Sequence, residues 1–115
     1  QTRDFVFVED IIKVMIQSME YLSYEKINTS INVGTGISIT INKLLSGLAA
    51  IINVEPIIDL KELPFGDPER SGGIYNKLNE ILGIDINQFV KLKDGLKKTV
   101  EYIIKEKSWK NMSGQ

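Results

Sequence analysis

The chain has 115 residues, enough for one domain with its own core, and its 43% hydrophobic and 25% charged residues are ordinary for a globular protein. The net charge is −1, with Lys and Arg scattered along the chain, so we expect no nucleic-acid partner. The absence of Cys and His excludes disulfides, thiolate nucleophiles and the commonest general base. No apolar run approaches the roughly 20 residues of a membrane span and no signal peptide is evident, so we expect a cytoplasmic protein without membrane contact.

The first third of the chain predicts a strand, a helix and a second strand. Alternating apolar residues predict a strand at residues 5–8. Apolar residues at helical spacing then predict an amphipathic helix over residues 11–22, and the carboxylates of Glu9 and Asp10 favour its N-terminus. After a polar loop, a second strand is predicted at residues 30–33.

The middle of the chain predicts a turn, a second helix and a third strand. The turn at residues 34–36 contains two glycines, and a short extended segment at residues 37–40 follows it. Thr40 is the predicted N-cap of a helix that Asn53 can end. Apolar residues beyond this helix predict a strand at residues 57–60.

The last part predicts a loop and two helices. Residues 63–73 are punctuated by Pro and Gly and are predicted to be irregular. A helix over residues 74–82 is expected to stop at Gly83, and a final helix over residues 92–104 leads to a frayed tail at residues 108–115. The sequence therefore predicts a small mixed α/β domain of about four helices and three or four short strands.

Residues 31–40 (INVGTGISIT) look like the start of a nucleotide-binding loop, because an apolar strand runs into Gly-x-Gly and a helix follows. A dinucleotide-binding loop needs a third glycine that opens directly into the helix, but Ile39 occupies that position. A P-loop is excluded as well, since Lys43 neither follows Gly nor precedes Ser or Thr. The favoured interpretation is a tight turn in which glycine supplies a positive φ, and a phosphate cradle is the lesser alternative.

A wider pattern surrounds this turn. It consists of QTRDFVFVED at residues 1–10, NVGTG at 32–36, Gly66-Asp67 followed by Arg70, Leu82-Gly83, and GLKKTVE at 95–101. Each stretch is weak alone, but their order and spacing over residues 1–106 resemble one family. That family is the extended short-chain dehydrogenase/reductases, which are NAD-dependent sugar-nucleotide epimerases and dehydratases. The stretches are similar to motifs of its C-terminal substrate-binding part.

The family's catalytic half has no counterpart in this sequence. That half is a Rossmann domain with a G-x-x-G-x-x-G loop for NAD and a Y-x-x-x-K pair. No three-glycine loop is present, and none of the four tyrosines is followed by Lys four residues later. The resemblance implies that residues 1–107 form the substrate-binding domain of a longer protein. We expect no catalytic, cofactor-binding or metal-binding residue in this chain, and we expect NAD in the parent enzyme.

The resemblance also nominates substrate-binding residues for a nucleoside-diphosphate sugar. Arg3 matches the family arginine that holds the substrate diphosphate, and its alternative role is an ion pair with Asp4 or Asp10. A second family arginine before Gly66-Asp67 is missing here, so Arg70 or Lys61 is the expected substitute. The alternative for both is an ordinary surface charge. Asp67 is a candidate acceptor for a sugar hydroxyl, although its more usual role is to shape the turn before Pro.

A second hypothesis is a stand-alone, non-catalytic α/β binding or interaction module. It predicts ligand or partner binding by these 115 residues alone. An independent hydrolase or metalloenzyme is disfavoured, because it would depend on carboxylates alone and no paired-carboxylate arrangement is present. Under the family hypothesis, an apolar face normally covered by the Rossmann domain is left bare, so we also expect self-association through that face.

Overall fold

The computed structural model describes residues 1–112, with side chains through Ser108. Within this part of the chain, four α-helices accompany a two-stranded antiparallel sheet, so the predicted mixed α/β class is confirmed. The elements are β1 (Thr2–Arg3), α1 (Val8–Tyr24), β2 (Ile39–Thr40), α2 (Ile41–Ile52), α3 (Asn76–Leu82), a 3₁₀ turn (Ile86–Gln88) and α4 (Leu92–Met112). Because α4 continues past Ser108 to Met112, most of the predicted frayed tail is helical, and residues 113–115 lie outside the described part.

The helix boundaries follow local signals. Thr40 is the N-cap of α2, and its hydroxyl accepts a hydrogen bond from the Lys43 N–H at 3.1 Å. Asn53 ends the same helix in the left-handed conformation, with φ of 53°. Gly83 ends α3 in that conformation too, with φ of 66°. These three predictions are confirmed because capping depends on residues within one helical turn.

Three of the predicted strands are wrong. Residues 5–7 are extended but unpaired and lead into α1, and residues 30–33 and 57–60 form no ladder with any described segment. The sheet instead pairs β1 with β2, so that Thr2 lies opposite Thr40 and Arg3 opposite Ile39. Alternating apolar residues predict an extended backbone, but a strand also needs a neighbouring strand, which the pattern does not specify.

The core lies between α1, α3 and the segment that precedes α4. Its fully buried centre is Leu78 of α3, which exposes 0% of its surface. Three other side chains complete the buried cluster, namely Val14, Ile84 and Phe89. Partly buried residues pack around them, namely Val6, Ile31, Val33, Tyr75, Leu82 and Ile86. The extended segments at residues 5–7 and 30–33 therefore contribute side chains to the core without forming strands.

A buried carboxylate ties the start of α1 to the segment before α4. Asp10 exposes only 3% of its surface, and its Oδ2 accepts a hydrogen bond from the Val90 N–H at 2.9 Å. The sequence predicted Asp10 at a helix N-terminus, which is correct. It did not predict the hydrogen bond to Val90, which lies 80 residues away. A buried acceptor that satisfies a distant N–H holds two segments in register.

We expect Asp10→Ala to lower the free energy of unfolding by about 2–3 kcal/mol, because it removes buried atoms and leaves the Val90 N–H without its acceptor. The neighbouring exposed carboxylate offers a matched control, and Glu9→Ala is expected to cost no more than about 1 kcal/mol through lost helix-dipole stabilisation. Urea unfolding followed by circular dichroism measures both variants. Equal losses would contradict the tertiary role of Asp10.

Candidate functional site

The Gly-x-Gly turn wraps around the carboxylate of Asp4. The Thr35 N–H lies 2.9 Å and 3.1 Å from the two carboxylate oxygens, and the Gly36 N–H donates to one of them at 2.8 Å. The Thr35 hydroxyl also hydrogen-bonds to the carboxylate. Consecutive backbone N–H groups that converge on one point form an anion-binding concavity. In this chain the anion is the protein's own side chain.

The favoured interpretation of this sequence as a tight turn is therefore confirmed. Gly36 has φ of 78°, a conformation in which glycine has no steric penalty. The N–H groups of Thr35 and Gly36 would face a phosphate in a nucleotide-binding loop, but here both donate to Asp4. The turn therefore holds Asp4 against residues 35–36, and the hydrogen bonds to Asp4 occupy both N–H groups.

Tyr75 closes the other side of this arrangement. Burial alone would raise the pKa of Asp4, but hydrogen bonds from Thr35, Gly36 and the Tyr75 hydroxyl hold that pKa below its usual value of 3.8. Burial raises the pKa of Tyr75, and the hydrogen bond to Asp4 and its negative charge raise it further. The pair therefore stays as carboxylate and neutral phenol at neutral pH.

Gly34 allows the Tyr75 ring to lie against the turn. A Cβ atom built on Gly34 would lie 2.1–2.4 Å from three atoms of that ring, a separation that real atoms do not tolerate. The backbone of the turn and the ring are therefore in direct contact, and only glycine fits at position 34. The first glycine of the motif serves close packing, whereas the second serves the positive φ.

Arg3 holds a different loop. Its Nη2 donates to an Asp67 carboxylate oxygen at 3.2 Å and to the Pro68 carbonyl at 2.8 Å, and its Nη1 donates to the Thr2 carbonyl at 2.8 Å. The alternative role predicted for Arg3, an ion pair with Asp4 or Asp10, is wrong because Asp4 is held in the turn and the pairing carboxylate is Asp67. The Asp67 N–H also donates a hydrogen bond to the Pro64 carbonyl at 3.0 Å, which closes a turn between these residues.

Backbone pairing places Arg70 opposite Thr2, the residue before Arg3. The Thr2 N–H donates to the Glu69 carbonyl at 3.0 Å, and the Ser71 N–H donates to the Thr2 carbonyl at 3.1 Å. Thr2 and Arg70 thus form a parallel bridge along the edge of β1. Arg70 is exposed, and its side chain has no hydrogen bond or ion pair to any residue in the described range 1–112.

Lys61 lies apart from this edge. Its ammonium group is 3.5 Å from an Asp59 carboxylate oxygen, and the two side chains are 81% and 79% exposed. An ion pair this exposed is screened by solvent and contributes little. Of the three candidate residues, Arg3 and Arg70 are linked through the backbone bridge between Thr2 and Arg70, and no described contact joins Lys61 to either of them.

Arg3 and the segment that carries Arg70 both lie at the edge of the sheet at β1. We define the arginine edge as Arg3, Arg70, Gln1 and Asp67. The side-chain amide of Gln1 donates a hydrogen bond to the Asp67 carboxylate at 3.1 Å. A guanidinium carries five N–H donors, and Arg3 uses three of them within the described residues. Two donors of Arg3 and all those of Arg70 remain for a ligand. Their fixed, planar geometry suits phosphate oxygens.

Sequence reasoning named the arginines as candidates, which stay a prediction, and missed the structural roles of Asp4, Thr35 and Tyr75. The only local signal was the acidic residue directly after Arg3, since a partly buried carboxylate needs donors and a glycine turn supplies them. Tyr75 carries no local signal, because its position against Gly34 depends on how two segments 41 residues apart meet.

Within residues 1–112, no helix combines the length and apolar character needed to cross a membrane.

Known proteins share similarity with nearly the whole chain. Over 104 residues it is 28% identical to the dTDP-4-dehydro-6-deoxyglucose reductase of Escherichia coli, an alignment that covers 88% of this chain and 30% of that enzyme. Over 109 residues it is 29% identical to the ADP-L-glycero-D-manno-heptose-6-epimerase of Nitratidesulfovibrio vulgaris (strain DP4), covering 90% and 31%. No protein-family model and no solved structure matches the chain. The chain is thus similar to sugar-nucleotide reductases and epimerases and spans less than a third of the length of these two.

We expect Gly34→Ala to lower the free energy of unfolding by about 2–3 kcal/mol, because the new methyl group overlaps the Tyr75 ring. Gly72→Ala is the control, since its Cβ would lie 3.7 Å from the nearest atom, an ordinary contact. In a Tyr75→Ala background the Gly34→Ala cost should fall below about 0.5 kcal/mol, which a double-mutant cycle measures. An unchanged cost in that background would show that the clash lies elsewhere.

The lowered pKa of Asp4 predicts an acid-dependent loss of stability. A carboxyl whose pKa is lower in the folded state adds stability above pH 3.8, and this stability disappears as the pH falls through the folded pKa. Asp4→Asn should therefore cost about 1–3 kcal/mol at pH 7 and progressively less below pH 3.8. Urea unfolding from pH 7 to pH 2.5 measures the difference, with exposed Asp59→Asn as the control. A difference that does not change with pH would contradict the assignment.

Proposed function

We propose that this chain is the substrate-binding portion of a cytoplasmic, NAD-dependent nucleotide-sugar epimerase or dehydratase of the extended short-chain dehydrogenase/reductase family. In this proposal a Rossmann domain elsewhere in the enzyme binds NAD and supplies the catalytic tyrosine. The chain binds the nucleoside-diphosphate sugar and orients the reacting carbon. Its similarity to a reductase and an epimerase supports the family, and the absence of a Y-x-x-x-K pair supports the non-catalytic role.

The arginine edge is the observation that carries the substrate class. It contains an exposed arginine, Arg70, and a partly committed one, Arg3, on two segments that are joined by the backbone bridge at Thr2. Guanidinium groups bind phosphate groups through bidentate, charge-assisted hydrogen bonds. The names of both relatives contain a nucleoside diphosphate, dTDP in one and ADP in the other. A diphosphate linked to a sugar is therefore the ligand we assign to this edge.

The substrate's phosphates would compete with Asp67 for Arg3. The Arg3–Asp67 pair is partly exposed, with 24% and 41% of the side chains accessible, so exchange of the carboxylate for phosphate costs little. Arg70 has no such competitor among the described residues. In this proposal Arg70 makes the first contact, Arg3 follows, and Lys61 is a further candidate should the loop at residues 59–69 move toward the ligand.

We expect dTDP and ADP to shift the backbone and side-chain N–H resonances of Arg3 and Arg70 in a two-dimensional NMR titration. Thymidine and adenosine, which lack phosphate, should not shift them. Affinity should be weak, with a Kd in the millimolar range, because the portion described supplies one wall of a site that normally encloses its ligand. Arg70→Ala should weaken binding by about 5–10-fold.

Two further variants complete this titration. Lys13→Ala removes an equal charge from α1 and should not change the affinity, whereas Lys61→Ala tests the third candidate. Shifts that are the same with nucleosides and nucleotides, or absent at both arginines, would contradict the proposal. A Kd in the micromolar range for this chain alone would instead favour the stand-alone binding module.

A further inference from the structure

Residues 70–75, which we call the connecting segment, lead from the β1 edge to α3 and are held at both ends. Near the first end, the Ser71 N–H donates to the Thr2 carbonyl at 3.1 Å, as part of the backbone bridge. At the other end, Tyr75 is half-buried, and its ring occupies the space that a Cβ atom would need at Gly34. The connecting segment is therefore tied to two different parts of the N-terminal half of the chain.

The middle of the connecting segment has little packing of its own. Residues 71–73 are all exposed, and two of them are glycines, which leave the backbone free to adopt many conformations. The contact of Tyr75 is reinforced next to it, where the side-chain amide of Asn32 donates to the Ile74 carbonyl at 3.4 Å. The path of the connecting segment therefore depends on its two ties, because the residues between them do not fix it.

The turn at residues 34–36 supports both segments that carry an arginine. Its N–H groups hold Asp4, the residue directly after Arg3. Its first glycine is covered by the ring of Tyr75, five residues after Arg70. One turn thus fixes a residue close to each arginine, and the backbone bridge at β1 fixes a second point on each segment. Two fixed points on each segment restrict how the two segments can lie relative to each other.

We propose that Tyr75 is a positioning residue for the diphosphate, because its contact with the turn fixes the connecting segment so that Arg70 and Arg3 can bind one ligand. This inference rests on the proposed function and adds a residue to it. Tyr75 acts through Arg70 and does not contact the ligand itself. A segment that is already held in place loses less conformational freedom when the ligand binds, and this preorganisation increases affinity.

Tyr75 also packs against the apolar core, so its removal lowers stability whatever it does for the ligand. A role in packing alone would leave the Kd of the folded protein unchanged. A positioning role instead predicts a weaker Kd, a dependence of this loss on Arg70, and a local loosening of the bridge without any ligand. The conservative variant Tyr75→Phe keeps the ring on the turn and should therefore behave as the wild type in all three respects.

Amide hydrogen exchange of the ligand-free chain tests whether Tyr75 holds the connecting segment. In Tyr75→Ala, exchange of the Ser71 N–H, which closes the bridge, should accelerate at least about 5-fold more than exchange of the Val90 N–H. Val90 is the internal control, because its N–H is bonded to Asp10 and reports a general loss of stability. Equal acceleration at both amides would overturn the inference. Tyr75→Leu takes the place of the alanine variant should that variant unfold.

Titration with dTDP, followed at the Arg3 resonances, tests the consequence for binding. Tyr75→Ala should raise the Kd about 5–10-fold, as Arg70→Ala does, whereas Tyr75→Phe should stay within about 2-fold of the wild type. In an Arg70→Ala background, Tyr75→Ala should add less than about 2-fold, because the residue through which it acts is gone. Tyr102→Ala removes an exposed ring from α4 and is the control that should leave the Kd unchanged.

The outcomes distinguish this inference from the proposed function. A wild type that does not bind dTDP would refute the proposed function and, with it, the role of Tyr75 in binding. A wild type that binds, together with an unchanged Kd in Tyr75→Ala, would refute the positioning role alone. Additive effects of Tyr75→Ala and Arg70→Ala would refute it too, because they would show that Tyr75 does not act through Arg70.

Discussion

The carboxylate of Asp4 in the Gly34–Gly36 turn is the contact from which the rest of the site follows. Removing a carboxylate from water is costly unless donors replace the lost hydration, and two backbone N–H groups, a hydroxyl and a phenol do so here. Once Asp4 is fixed, its neighbours on either side are fixed too. Arg3 then lies along the sheet edge, and the residues after Asp4 enter the core.

Three charged residues of the N-terminal stretch each reach a different part of the chain. Arg3 contacts Asp67, Asp4 contacts Thr35, and Asp10 contacts Val90, at separations of 64, 31 and 80 residues. The first ten residues therefore tie three distant segments together. The N-terminal stretch thus has a structural function of its own, and Arg3 takes part in it.

The ion pair of Arg3 bears on how an anion would bind in the proposed function. Arg3 is partly neutralised by Asp67, which keeps its guanidinium in place without a ligand and leaves two donors available. Arg70 is held by its backbone alone, so its side chain remains adaptable. In the proposed function, one oriented and one adaptable guanidinium would bind a flexible diphosphate with little reorganisation of the backbone. The missing walls of such a site would have to come from the additional length that the relatives possess.

The sequence was sufficient for the helices, their caps and the nature of the Gly-x-Gly turn, because each depends on residues within a few positions. Thr40, Asn53 and Gly83 were identified for this reason, whereas the binding role expected of Arg3 stays a prediction. The strands at residues 5–8, 30–33 and 57–60 were mispredicted, because an extended segment becomes a strand only when another strand pairs with it. Three contacts were decided only by the tertiary structure. They are the contact of Asp4 with the Gly-x-Gly turn, that of Tyr75 with Gly34, and that of Asp67 with Arg3. Each joins segments more than 30 residues apart, and no local pattern specifies which donor will meet which acceptor.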